Sequence, residues 1–383
     1  SGVYTWWHWM NGNITKDGIT RDLEAMKANG IAGYQLFEAG SGIPIGPVES
    51  LSDEWVDLIL HTLKESERLG LEFAMHNCPG WSSSGGPWIT PDKAMQIITW
   101  SETKITGGKQ VRIQLPTPKH MFDYYIDTYC LAIPANMKVI PRLSILELSN
   151  RLDKDGVLTW DVPTGEWLIM RFGQTAKDQK NKSAPSKSTG LDCDKFSTEA
   201  LDYHLNCMFK RLMPTMEKIA KHSKIGLLID SYETGDQDWT SDMPAYFEQS
   251  HGYELYPFLP VLANKIVESE ESTKRFLFDF RRVRADMFAE RYYGHFQKRC
   301  KEKGIITYTE PYGGNMMEEL QVAQQLDINM GEFWCGQTVL WANYKYNRTV
   351  KQVASIAHTL GGKVVGAEAF TSEPDADKWL QYP

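Results

Sequence analysis

The chain has 383 residues, 42% hydrophobic and 23% charged, with a formal net charge of −8. This is globular composition with enough length for a large core, in one barrel-sized domain or in two or three smaller ones. No basic run is present, which argues against a nucleic-acid partner, because phosphate binding needs clustered Lys and Arg.

Apolar strand-like runs alternate with segments of helical period. "VYTWWHWM" leads into the helix "GITRDLEAMKANG", where Ile19, Leu23 and Met26 share a face and Gly30 is the expected stop. "IAGYQLFEAG" reads as the next strand. The helix "SDEWVDLILHTLKESERLG" follows, with Ser52 as N-cap and Gly70 as C-cap, and "LEFAMHN" is a third strand. From Thr103 to Lys187 the text changes to short alternating runs separated by Gly, Pro and Asp, which predicts a small all-β insertion. The polar stretch "KDQKNKSAPSKSTG" behind it reads as a flexible loop.

The alternation then resumes. A helical stretch from Thr198 to His222, interrupted at Pro214, precedes the strand "IGLLIDSYE". A helical region around 244–249 and a long helix over 272–303 lead to "GIITYTEPYGG". "GGNMMEEL" reads as a loop entering a helix, with Glu318 and Glu319 at its N-terminus. "DINMGEFW" is followed by the helix "TVKQVASIAHTLGG" with Thr349 as N-cap, and by the strand "KVVGAEAF". Seven strands are expected, near 4–10, 32–38, 71–77, 225–233, 305–311, 328–334 and 363–370.

Strands alternating with helices imply parallel β/α units. An α/β (β/α)8 TIM-type barrel fits best, with the eighth strand missing. Residues 1–102 and 188–383 form its two parts and 103–187 the insertion. A doubly wound open sheet is the second choice, but it would carry a Gly-rich phosphate loop after its first strand. Six scattered cysteines contain no CxxC pair, so neither zinc nor a disulfide framework is expected. Neither a transmembrane run nor a leader is read from the sequence, and the aromatic-rich opening suggests a processed or trimmed start.

Chemistry concentrates at the strand ends. The fourth strand ends in Asp230 and Glu233, the fifth in Glu310, the sixth in Glu332 with Trp334, and the seventh in Glu368. Glu38 lies on the second strand, His76 and Asn77 close the third, and His8, Asn11 and Asn13 close the first. In a parallel barrel these ends meet at one face. One acid there is commonly a cap or an ion-pair member. Four successive strands ending in acids are harder to dismiss, because buried carboxylates are costly unless paired or liganded. Such acids split one another's pKa values into an acid and a base.

Thirteen tryptophans, many beside Gly, Asn, Asp or Pro as in "NCPGWSSSGGPW", suit either sugar stacking or the capping of barrel ends. Carboxylates with surrounding aromatics suit glycoside hydrolysis. Carboxylates with Asn also suit a hard cation, although no EF-hand spacing is present. His8, His76 and His358 are weaker candidates. Ser82 to Ser84 lack a GxSxG elbow, which disfavours a serine hydrolase.

"WWHWMNGNITKDGITRDLEAMKANGIAGYQLF", "GLEFAMHNCPGWSSSGGPWITPDKAM", "GLDCDKFSTEALDYH", "GLLIDSYETGDQDWT", "TYTEPYGG", "MGEFW" and "VGAEAFTSE" together resemble glycoside hydrolase family 106, the α-L-rhamnosidases. The resemblance spans nearly the whole chain. It implies a (β/α)8 catalytic barrel among accessory β-domains, an inverting mechanism, a bound calcium, a plant-glycan substrate and a periplasmic or secreted setting. By position, Glu233 matches the general acid, and Glu332 and Glu368 match the glutamates that activate water. His8, Asn11, His76, Asn77, Trp81, Glu310 and Trp334 are expected to contact the sugar. Asp230, Glu310 and Asn77 are expected to hold the calcium. The accessory domains and the eighth strand block are absent from the pattern, which suggests a fragment. A glycosidase for another sugar and a non-catalytic carbohydrate-binding relative remain alternatives.

Overall fold

The computed structural model describes residues 2–371 except 41, 82, 83, 335–339 and 363; the side chains of 334, 340–347 and 370 also lie outside the description. The chain divides into two compact units, Ser1–Ile89 with Gln179–Asp236 and Phe288–Pro383, and Thr90–Asp178 with Gln237–Met287.

The first unit is built on a seven-stranded sheet: β1 (Val3–Met10), β2 (Ile31–Ala39), β3 (Glu72–His76), β4 (Ile225–Ile229), β5 (Ile306–Thr309), β6 (Ile328–Trp334) and β7 (Gly366–Thr371). Every pairing is parallel and the strands lie in chain order. All seven expected strands are found. Their helices include α1 (Lys16–Ala28) and α2 (Asp53–Leu69). Ser52 Oγ accepts from Trp55 N at 3.1 Å, and Gly70 ends α2 in the left-handed region with φ 65°, where the missing Cβ removes the steric cost. β4, "IGLLI", is buried at all five positions, as expected of a parallel strand covered on both faces.

Strand alternation defines the two faces. Trp7 Nε1 donates to Asp22 of α1 at 3.1 Å, and the Tyr34 hydroxyl meets Ser66 of α2 at 2.6 Å, so these residues face the helix layer. A Cβ at Gly331 would lie 2.9 Å from Val350 Cα, so a helix packs on that side of β6 too. The opposite parity therefore faces inward: Trp6, His8, Gln35, Phe37, His76, Met330 and Glu332. Gln35 Nε2 reaches Met330 Sδ at 3.2 Å, from the second strand to the sixth. Contact between strands four places apart requires the sheet to curl around its inner face.

Two local expectations are corrected. Thr349 does not cap a helix. It lies within α-helix Leu340–Thr359, and its Oγ1 bonds Glu332 N (2.9 Å) and O (3.2 Å), fastening that helix to β6. The polar stretch after the insertion is not a loose loop over 179–190. Asn181 is buried there; its Nδ2 donates to Pro79 O (2.9 Å) and Ser188 O (3.2 Å), and its Oδ1 accepts from Gly190 N (2.8 Å).

The second unit contains an antiparallel sheet of Gln96–Thr106, Glu166–Ala176, Ile126–Pro134 and Leu146–Glu147, and a two-stranded ribbon of Lys109–Gln114 with Val157–Val162. Cys130, Leu158, Trp160 and Ile169 are among its core residues. This unit begins before Thr103, the expected start of the β-rich insertion, and takes in 237–287, which the sequence reading placed in the barrel. The reason is long-range pairing. Trp239 N donates to Gln96 O (3.2 Å), Asp238 Oδ1 accepts from Ile98 N (2.9 Å), and Ile266–Val267 pairs with Val139–Ile140.

Candidate active site

The C-terminal ends of the curled sheet carry the acids. β4 stops at Ile229, four residues before Glu233. The expected strand to Glu233 would have thrown Asp230 and Glu233 to opposite sides. Because the strand ends first, Asp230 keeps the inward parity of Leu228, the register partner of His76, and Glu233 is delivered by the loop beyond.

Asp230 is buried, with Oδ2 3.0 Å from His76 Nε2 and Oδ1 accepting from Ser231 N at 2.9 Å. Glu310 is buried beside it. Its Oε2 accepts from the Tyr312 hydroxyl at 2.6 Å, and its Oε1 has no hydrogen-bond donor. Burial, reinforced by the charges of Asp230 and Glu368, pushes the Glu310 carboxyl well above the usual range. Glu332 is buried on β6 and is the register partner of Glu368 on β7. Burial raises Glu368 to about 7; the Thr371 hydroxyl opposes this, while the charges of Glu332, Asp230 and Glu233 add to it.

Glu233 sits at the outer lip with its side chain 35% exposed. Lys182 Nζ lies 2.6 Å from its Oε2, Trp81 Nε1 donates to the same oxygen at 3.2 Å, and Ser231 Oγ lies 3.3 Å from its Oε1. Aromatic rings line the inner side of β1 to β3. Trp6 stacks on His76 (5.4 Å, 8°), Trp81 stacks on Phe37 (5.3 Å, 13°), and His8 meets Phe37 edge-on at 4.6 Å. Desolvation and then the His76 charge lower the His8 pKa.

The structure thus brings together Asp230, Glu233, Glu310, Glu332, Glu368, His8, His76 and Trp81. It does not bring in three others. Asn77 spends its side chain internally: Nδ2 donates to Leu228 O at 2.9 Å, and Oδ1 accepts from Ser84 Oγ. Asn11 is buried in a turn at φ 49° with Nδ2 on Ile43 O at 2.7 Å. Glu38 faces the helix layer, accepting from Ser50 Oγ at 2.9 Å. The Trp334 side chain lies outside the described residues. Lys182, Trp6 and Phe37 were missed by the sequence reading. Trp6 and Phe37 had a signal, because Trp6 shares strand parity with His8 and Phe37 with Gln35. Lys182 had none beyond membership of a Lys-rich loop.

For the expected calcium, the donor chemistry fits in part. Asn77 is spent, and no group of three His, Cys, Asp or Glu side chains among the described residues is arranged to hold a metal. Asp230 and Glu310 do fit. The unbonded Glu310 oxygen beside a second acid calls for a proton or a cation.

A curled parallel sheet with inward carboxylates at successive strand ends and an aromatic wall is the architecture of a barrel-type carbohydrate hydrolase. The model of glycoside hydrolase family 106, described as alpha-L-rhamnosidase, matches residues 3–123 and 119–383, and the chain belongs to this family. It is 41% identical, over 99% of its length, to a Formosa agariphila protein named "Putative beta-glucuronidase", of which it spans 34%. The fold matches the rhamnosidase from Novosphingobium sp. PP1Y with a TM-score of 0.84 at 24% identity, covering 95% of this chain and 51% of that one. No helix among the described residues is long and apolar enough to cross a membrane.

Proposed function

We propose that this chain carries the catalytic site of an α-L-rhamnosidase that removes terminal rhamnose by an inverting, single-displacement reaction. The observation that carries this reading is the pairing of Glu332 with Glu368 on the inner face while Glu233 waits at the lip. The sugar enters ring-first against Trp6, Phe37 and Trp81, whose flat faces suit the apolar face and methyl group of a deoxysugar. His76, oriented by Asp230, offers its ring to a sugar hydroxyl. Glu233 gives its proton to the glycosidic oxygen as the anomeric C–O bond breaks. A water takes the opposite face, and one of the Glu332–Glu368 pair accepts its proton. A carboxylate titrating near 7 is well placed for that task at neutral pH.

Calcium belongs to this proposal through family resemblance. Asp230 and Glu310 would hold it, and it would neutralise their charge and bind sugar hydroxyls. The seven strands are read as a (β/α)8 barrel completed by an eighth strand, and the protein as periplasmic or secreted, acting on plant polysaccharides or glycosides. Because the chain spans 34% of its curated relative, these properties of the whole protein are part of the proposal.

The relative's printed name favours a second reading, hydrolysis of a β-glucuronide. One experiment separates the two. Aryl α-L-rhamnoside and aryl β-glucuronide are assayed in parallel, with chelator and with added calcium, and the first-formed anomer is read by proton NMR. Release of β-L-rhamnose supports the proposal. Turnover of the glucuronide alone, or release of the α-anomer, overturns it.

A further inference from the structure

Asn11 and Asn13 close the first strand, and their side-chain amides are spent on the loop after the second. Asn11 Nδ2 donates to Ile43 O at 2.7 Å. Asn13 Nδ2 donates to both Met10 O and Pro44 O, at 2.8 Å each, which uses both of its hydrogens. Gly46 N returns a bond to Asn11 O (2.8 Å) and Val48 N one to Gly12 O (3.2 Å). The two turns meet backbone to backbone: a Cβ at Gly12 would lie 2.0 Å from Val48 O, and one at Gly46 would lie 2.3 Å from Asn13 N. Asn11 at φ 49° and Gly12 at φ 77° supply the left-handed turn this approach requires, and Pro44 and Pro47 stiffen the facing loop.

The tip of this brace is apolar. Ile45, next to Pro44, is 80% exposed. Met10, the last residue of β1, is 44% exposed and continues the inward row of Trp6 and His8. The Asn13 amide that bridges Met10 O and Pro44 O ties the two apolar residues together at the end of the sheet where the acids lie. A lone exposed isoleucine needs no explanation, but this one is held in a rigid brace beside a second exposed apolar residue. Asn13 and Glu49 are exposed next to the pair in the chain. A small apolar patch within a polar rim fits the C–H face of a pyranose, whose hydroxyls radiate from the ring edge. The buried acids form the floor, so a terminal sugar occupies the floor and the rest of the substrate emerges past the rim.

We propose that Met10 and Ile45 form a specificity-determining rim, which receives the apolar C–H face of the leaving sugar, the unit next to the rhamnose. This rests on the rhamnosidase reading of the same site and adds a binding subsite to it. The braced loop is ordered before substrate arrives, so little loop freedom is lost on binding. The contact lies away from the breaking bond. It is made alike in the ground state and the transition state, and its loss is read in KM rather than kcat. Asn13 acts through Ile45 and Met10 and is a positioning residue.

The test measures the kinetics of the full-length wild type and of Ile45→Ser, Ile45→Leu and Asn13→Ala on three kinds of α-L-rhamnoside. These are the glyceryl rhamnoside, the cyclohexylmethyl rhamnoside, and rhamnosyl-glucose disaccharides of each linkage, of which the best substrate is used. Ratios of variant to wild type are compared, so the intrinsic acidity of each leaving group cancels. Ile45→Ser is expected to lose about tenfold more kcat/KM on the disaccharide than on the glyceryl rhamnoside, mostly through KM. Ile45→Leu is expected to keep most of the wild-type value. Asn13→Ala, which releases Pro44 O, is expected to lose part of the same selectivity. A loss confined to the cyclohexylmethyl rhamnoside overturns the assignment to a sugar. An unchanged Ile45→Ser enzyme, equal losses on all three substrates, a loss in kcat alone, or a wild type that cleaves the glyceryl rhamnoside but no disaccharide overturns the inference and leaves the rhamnosidase reading standing. A wild type that cleaves no rhamnoside overturns both.

Discussion

Glu332 and Glu368 are register partners on adjacent parallel strands, and both point to the inner face of the sheet. Just beyond them the register shifts, so that Trp334 pairs with Thr371. The extra residue in β7 is a bulge, and it brings the Thr371 hydroxyl onto Glu368 Oε1. Two like charges on neighbouring strands are unfavourable unless they share a proton or a substrate. In the proposed reaction the pair serves to activate water, which would give them that use.

Glu332→Gln and Glu368→Gln are each expected to lower kcat on aryl α-L-rhamnoside by about 10²–10⁴-fold, the usual worth of a general base. The double variant is expected to lose little more than the worse single one, because the pair acts as a unit. Steady-state kinetics decides this. A single variant that keeps most of the wild-type kcat would remove its residue from the mechanism.

The second prediction concerns pH. Burial and neighbouring acids raise Glu368 to about 7, and a base works only when deprotonated. The acidic limb of kcat/KM is therefore expected to fall as pH drops through about 7. Glu332→Gln removes a charge that raises Glu368, so its titration, followed by carbon NMR of labelled Glu, should move to lower pH. A shift to higher pH would contradict the assigned cause.

Glu38 gives a stability test away from the chemistry. It is buried, and burial lifts its carboxyl from 4.5 to about 7, against the hydrogen bond from Ser50 Oγ. The folded state holds the proton more tightly than the unfolded chain. This contribution to stability is thus fully present below about 4.5 and lost as pH rises through about 7. Urea unfolding should show Glu38→Gln gaining on the wild type between pH 5 and pH 8, by up to roughly 3 kcal/mol. An equal difference at both pH values would show that Glu38 does not carry the pH dependence.

Gly80→Ala tests the loop support. The added Cβ would meet Lys182 O at 2.0 Å, at a φ of +76° that favours glycine. A loss of about 1–3 kcal/mol is expected on thermal unfolding. A larger proportional loss of kcat/KM should accompany it, because both Trp81 and Lys182 shift against Glu233. Unchanged kinetics in the folded variant would show that the loop does not position them.

The strands and the acids at their ends were legible because their signals are local. Five apolar residues followed by Asp230, or "VVGAEAF" reaching Glu368, announce themselves within one short window. The same windows could not show where β4 stops, and one-residue parity decides whether Asp230 and Glu233 share a site. Thr349 looked like a helix cap for the same reason: its partner, Glu332, lies 17 residues away. Asn77 looked like a ligand until Ser84 and Leu228 were seen to occupy its amide.

By itself, then, the sequence determined seven strands, their parallel alternation with helices and a ring of carboxylates, because backbone propensity and hydrophobic period act over a few residues. Only the tertiary structure decided which carboxylates pair, which asparagines are spent on the scaffold and which lysine reaches the lip. Those depend on register, on curl that joins Gln35 to Met330, and on a close backbone approach at Gly80 to a loop a hundred residues later.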